Sequence, residues 1–158
     1  MKALWPDAPR SRTTTRSNLS LFKACLEIKV YADGMALSRI LAYVVDDEEV
    51  IATTLALILN KSGFEAVAFT RPLDALRAAE VRCPDFLVTD VAMPLLNGID
   101  LGIQFKAIHP RCRVLLFSGA HSTGPLLEDA QQRGLEFSIL AKPVHPTELL
   151  DTLKRMED

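Results

Sequence analysis

Five short runs of apolar, often β-branched residues alternate along this chain with five longer segments whose apolar residues recur every three or four positions. Few folds accept that pattern. A short apolar run bounded by turn residues is a strand buried on both faces, and such strands belong to parallel sheets covered by helices. Strict alternation then places helices on both sides of one parallel sheet, joined by right-handed crossovers. The predicted strands are 39–45, 65–69, 86–89, 113–117 and 137–140. The predicted helices are 48–62, 72–82, 99–108, 122–133 and 146–156. Gly63 and Gly134 stand where the first and fourth helices must stop. Pro72 and Pro146 stand at the first turns of the second and fifth, where a missing N–H costs nothing.

This single α/β unit uses residues 37–158 and leaves no room for an output domain. Residues 1–36 read differently. The first 20 are rich in Ser, Thr, Arg and Pro and have no periodic apolar face; a marginal helix over 21–31 is broken by Ala32-Asp33-Gly34. The expected reading is a disordered extension, or an over-long start ahead of Met35, in preference to an Arg-rich transit peptide. Charge divides the same way. Residues 1–35 hold six basic and three acidic side chains, a net of +3, leaving twelve basic against seventeen acidic beyond, a net of −5. The folded unit is therefore mildly acidic and lacks the basic stripe of a nucleic-acid binder. No run approaches the roughly 18 apolar residues that cross a bilayer. Cys25, Cys83 and Cys112 are far apart, which argues against a disulfide framework or a zinc site and fits a reducing, cytoplasmic setting. His109, His121 and His145 have no metal-ligand spacing.

The chemistry lies at the strand ends. The first, third, fourth and fifth strands run into Asp46-Asp47, Asp90, Ser118 and Lys142. In a parallel α/β sheet these ends share one edge, the edge where open sheets place their ligands. Three carboxylates, a hydroxyl and an ammonium therefore meet there. Two like charges about 4 Å apart repel by roughly 4 kcal/mol at an effective dielectric of 20, so the acids need compensation. A divalent oxygen-seeking cation such as Mg²⁺ supplies it, and Lys142 is a point charge suited to a phosphate. The plainer alternative is that each residue caps its own helix.

The acidic pair Asp46-Asp47, the segment Asp90-x-x-Met93-Pro94-x-x-x-Gly98, Ser118 followed by small residues, and Lys142-Pro143 together resemble the receiver domains of bacterial two-component response regulators, over about residues 38–157. The resemblance implies a flavodoxin-like doubly wound five-stranded parallel sheet of order 2-1-3-4-5. It also implies roles. Asp90 would accept a phosphoryl group from a histidine kinase or a histidine phosphotransfer protein. Asp47 would bind Mg²⁺ directly, Asp46 largely through water, and the Ala92 carbonyl would complete the protein ligands. Ser118 and Lys142 would bind the transferred phosphoryl oxygens, and the Lys142–Pro143 bond would be cis.

One position departs from the family pattern. Three residues before Lys142 the family commonly carries Tyr or Phe, and here stands Ile139. An inward-turning aromatic ring is thereby put in doubt, leaving the loop 118–123 and the start of the fourth helix as the expected responders. Two other function classes compete. One is a non-phosphorylated interaction module that keeps only the fold. The other is a haloacid-dehalogenase-like phosphatase, which needs a second acid where Ala92 stands. The chain is thus read as a self-catalysed phosphoacceptor rather than a turnover enzyme, with its downstream protein partner unassigned.

Overall fold

The computed structural model describes residues 39–119 and 124–158. The elements, in chain order, are β1 Leu41–Val45, α1 Glu49–Lys61, β2 Glu65–Phe69, α2 Pro72–Val81, β3 Phe86–Asp90, α3 Gly98–Ile108, β4 Arg113–Ser118, α4 Gly124–Gln132, β5 Ser138–Ala141 and α5 Pro146–Glu157. The strands form one sheet of order β2-β1-β3-β4-β5, and all four pairings are parallel. The α/β expectation and its strand order both hold. The expected helix over 21–31 falls outside the described residues.

Strand alternation sorts the core into two layers. Leu41, Tyr43 and Val45 of β1 join Leu87, Leu116, Ile99 and Phe105 on the face covered by α2, α3 and α4. Ala42 and Val44 join Val88, Phe117, Leu59, Leu149 and Leu153 on the face covered by α1 and α5. Strands β1 and β3 are buried along their whole length, whereas β2 and β5, at the sheet edges, are half exposed. At the amino ends of the strands Asp85 acts as a clasp. Its Oδ2 accepts from Leu41 N at 2.9 Å, its N–H donates to the Leu41 carbonyl at 2.8 Å, and its carbonyl accepts from Arg113 N at 2.9 Å.

Boundaries shift by a residue or two from the sequence reading. Pairing of β1 begins at Leu41, where the Asp85 clasp starts, not at residue 39. Phe137 precedes β5, and its ring lies where a Cβ on Gly102 would come within 3.2 Å. Cys112 is buried, its Sγ 3.8 Å from the Arg113 carbonyl oxygen, whereas Cys83 is disulfide-bonded. That corrects the expectation of cysteines without disulfides. Spacing along the chain says little about which thiols folding brings together.

His109 has a structural role. It lies just beyond α3, is buried, and its ring Nε2 lies 2.9 Å from the Ala79 carbonyl, one of the last-turn carbonyls of α2. This is a side-chain cap from one helix end to another. Burial holds the imidazole below its ordinary pKa, against the opposing pull of the Ala79 carbonyl. The native state thus takes up its proton later than the unfolded chain does as pH falls. The stability from neutral His109 is complete above the ordinary histidine value of about 6.5 and is lost as pH drops through it toward the lowered native value. Thermal melts between pH 7.5 and pH 5 should therefore fall more steeply for the natural chain than for His109→Gln, which keeps a donor but cannot titrate; parallel curves would remove His109 from this role.

Candidate functional site

β1, β3 and β5 each deliver a charged side chain to the carboxyl edge of the sheet. Asp46 follows β1 at once and is held in place by its own N–H, which donates to the Phe69 carbonyl at 3.1 Å. Asp90 is the last residue of β3 and is buried. Lys142 follows β5, and its N–H donates to the Ser118 carbonyl at 2.9 Å, fastening the fourth and fifth strand ends together. The peptide bond Lys142–Pro143 is cis, as expected.

Lys142 Nζ lies 3.0 Å from Asp90 Oδ1 and 3.9 Å from Asp46 Oδ2. Carboxylate oxygens of Asp46, Asp47 and Asp90 all fall within 4.8 Å of one another. Among the described residues one ammonium therefore faces three carboxylates, leaving two negative charges for a further group to balance. Asp46 shows the imbalance most clearly. Its Oδ1 accepts from Glu48 N at 2.9 Å, whereas its Oδ2 is buried with no hydrogen-bond partner among the described residues. Burial raises the Asp46 pKa, and the neighbouring acids add to this, against the lowering effects of Glu48 N–H and Lys142.

A partnerless buried oxygen costs about 1–3 kcal/mol. The donor set, all oxygens and two of the three carboxylates buried, is what a hard divalent cation takes. Asp46→Asn keeps the acceptor for Glu48 N but removes a charge. It is expected to raise the melting temperature in EDTA by a few degrees, corresponding to about 1 kcal/mol. In excess Mg²⁺ the order should reverse, because only the natural site gains fully from binding. Lower stability of the variant in EDTA would mean that Lys142 already compensates the charge. The cap-like bond at the start of α1 belongs to Asp46, and Asp47 is exposed with its carboxylate on the cluster.

Ser118 ends β4, half-buried, with Oγ donating to the Gly119 carbonyl at 3.0 Å. Ala92 is exposed on the loop after β3. The edge thus carries every residue proposed from the sequence; Lys142 reaches across it to Asp90 and Asp46, while the Ser118 hydroxyl is turned to the Gly119 carbonyl. Independent helix capping does not explain that convergence.

Against known proteins, the response regulator receiver domain family matches residues 42–154. The chain belongs to that family. It is 33% identical over 116 residues to the transcriptional regulatory protein CreB of Escherichia coli, covering 72% of this chain and 48% of CreB. It is 35% identical over 109 residues to the alkaline phosphatase synthesis transcriptional regulatory protein PhoP of Bacillus subtilis, covering 67% of this chain and 43% of PhoP. The chain thus spans about half the length of these curated relatives. Among solved structures, the chemotaxis protein CheY4 of Vibrio cholerae superposes with a TM-score of 0.66 at 23% identity, over 74% of this chain and 98% of that one, a likeness of fold. The phosphoacceptor chemistry of two-component signalling is the family's.

Two features of this receiver escaped the sequence reading. Gly98 was part of the motif, but its purpose was not visible: a Cβ there would lie 2.1 Å from the Asp90 carbonyl oxygen. Leu95 has a positive φ of 69°, which no residue pattern announces for a leucine. Ile139, at the position that raised doubt about an aromatic switch, is 44% exposed on edge strand β5. Of the expected responding loop, residues 120–123 lie outside the described residues. Among the described residues, no helix is long and apolar enough to cross a membrane.

Proposed function

We propose that Asp90 accepts a phosphoryl group from the phosphohistidine of a histidine kinase or histidine phosphotransfer protein, in the cytoplasm, and that the chain signals through a changed protein-binding surface. The observation that carries this reading is the ammonium of Lys142 held 3.0 Å from Asp90 inside a three-carboxylate cluster. An Asp90 carboxylate oxygen attacks phosphorus, forming a P–O bond as the P–N bond to the donor imidazole breaks. The electron pair stays on the imidazole nitrogen, which takes a proton from solvent, and the product is an acyl phosphate on Asp90. Lys142 Nζ pairs with a phosphoryl oxygen and the Ser118 hydroxyl donates to another. Asp46, Asp47, Asp90 and the Ala92 carbonyl would hold Mg²⁺, which when bound neutralises charge building on the phosphoryl oxygens. Phosphoryl transfer depends mainly on such positioning and neutralisation.

Ala92 also supports acceptance over turnover, since it offers no second acid for ester hydrolysis. The test is intact mass after incubation with Mg²⁺ and acetyl phosphate. One phosphoryl adduct supports the reading. No adduct would favour an interaction module, and rapid turnover on phosphate esters a phosphatase.

Residues 37–158 are proposed to carry this chemistry unaided. A chain beginning at Met35, compared with the full chain in the presence of a thiol reductant, should melt at the same temperature and label equally; a drop of several degrees would show that the preceding residues stabilise the domain.

A further inference from the structure

Leu95 is the most exposed large apolar side chain among the described residues, at 105% of its reference area. Its N-terminal neighbour Pro94 accepts through its carbonyl from Leu96 N at 2.9 Å. With φ at 69°, Leu95 is the central residue of a γ-turn of the positive-φ kind, the rare and strained one. Glycine or asparagine would hold this backbone more easily. The loop is also fastened on both sides. The Val91 carbonyl accepts from Met93 N at 3.2 Å and from Gly98 N at 3.0 Å, and the Met93 side chain is buried. The chain therefore keeps a leucine where its backbone is unfavourable and its side chain gains nothing from the fold. Strain of this kind points to function when it lies beside a site.

Leu95 stands on the loop that follows Asp90. Val50, 76% exposed, stands in the first turn of α1, just after Asp47. The segments that follow Asp90 and Asp47, two members of one carboxylate cluster, thus each carry an exposed apolar side chain. A small phosphodonor needs neither. A protein donor must lower its surface over this rim to bring phosphorus to Asp90. A second copy of this chain is disfavoured as the occupant, because two rims face to face would oppose two acidic pockets, each with three carboxylates and one ammonium.

We infer that Leu95 is an anchor for the phosphodonor protein: its side chain enters an apolar socket beside the donor's phosphohistidine and makes transfer selective for protein over small-molecule donors. This rests on the phosphoacceptor reading of Asp90. The test compares natural chain, Leu95→Gly, Leu95→Asn and Leu95→Met with two donors. One is acetyl phosphate. The other is the fastest donor found among all purified, phosphorylated histidine kinases and phosphotransfer proteins of the source organism.

Labelling by acetyl phosphate should stay within about twofold in every variant. Transfer from the protein donor should fall about tenfold in kcat/KM, mainly through KM, for Gly and Asn, and recover for Met. The Gly and Asn variants should melt no lower than the natural chain. Equal losses with both donors would overturn the inference in favour of a loop that merely shapes the site, as would unchanged transfer from the protein donor. A natural-chain dimer that Leu95→Gly dissolves without loss of transfer would assign the residue to a second copy. No transfer from any protein donor to a chain that acetyl phosphate labels would overturn this inference alone, and no labelling by either donor would overturn the phosphoacceptor reading with it.

Discussion

Gly98→Ala is expected to lower the melting temperature by roughly 10 °C. The added Cβ would lie 2.1 Å from the Asp90 carbonyl oxygen, 2.8 Å from the Asp90 carbonyl carbon and 3.1 Å from Val91 Cα. All three are backbone atoms at the end of the buried central strand, so no side chain can rotate away. Overpacking usually costs about 1–3 kcal/mol, and a clash with buried backbone belongs at the upper end. At a few degrees per kcal/mol for a domain of this size, about 3 kcal/mol gives that shift. Relief would require α3 to retreat, breaking the 3.0 Å bond from Gly98 N to the Val91 carbonyl, or Asp90 to tilt. Labelling by acetyl phosphate should therefore fall as well, because the tilt would move the acceptor against Lys142. Circular dichroism melts and intact mass check the two halves; an unchanged melt would mean that the loop moves aside at no cost.

Asp90→Asn is expected to reduce phosphoryl uptake by more than about a thousandfold, since it replaces the attacking carboxylate with an amide of nearly the same shape. The fold should survive. Among the described residues the Asp90 side chain caps no helix and closes no turn, and Asp46 Oδ2 remains 3.9 Å from Lys142 Nζ. A melting temperature equal to or slightly above that of the natural chain is expected in EDTA, because one of three crowded charges is gone. Labelling of the variant at the natural rate would place the acceptor elsewhere.

Much of this was legible in the residues because local and global signals agree. Apolar strands, helix stops at Gly63 and Gly134, and starts at Pro72 and Pro146 all demanded the same alternation. A parallel sheet then forced Asp46, Asp90, Ser118 and Lys142 to one edge whatever the strand order. The order itself came from the family resemblance, since nothing in strand composition says which neighbour β1 takes. The division of the acidic pair was not legible either. That Asp46 is buried with an oxygen that accepts no hydrogen bond among the described residues, while Asp47 is exposed, follows from where β1 stops pairing, a matter of one residue. Leu95 was illegible for another reason. Its backbone angle is imposed by bonds from residues on either side, against its own preference. Phe137 filling the space over Gly102 and the pairing of Cys83 depend on contacts made only after folding.

The all-parallel sheet has a consequence for how the protein comes to exist. Parallel neighbours cannot zip together as hairpins, so each pairing waits for a crossover to be made and packed. On the ribosome, Asp46 and Asp90 emerge well before Lys142, the only ammonium on their cluster among the described residues. Until β5 docks beside β4, with α5 laying Leu149 and Leu153 into the core, the carboxylates face one another uncompensated. An interrupted chain would carry an acidic edge without the ammonium that lies across it. On the proposed phosphoacceptor reading, competence to receive a phosphoryl group arrives with completion of the fold, and unfinished chains stay silent to the signal.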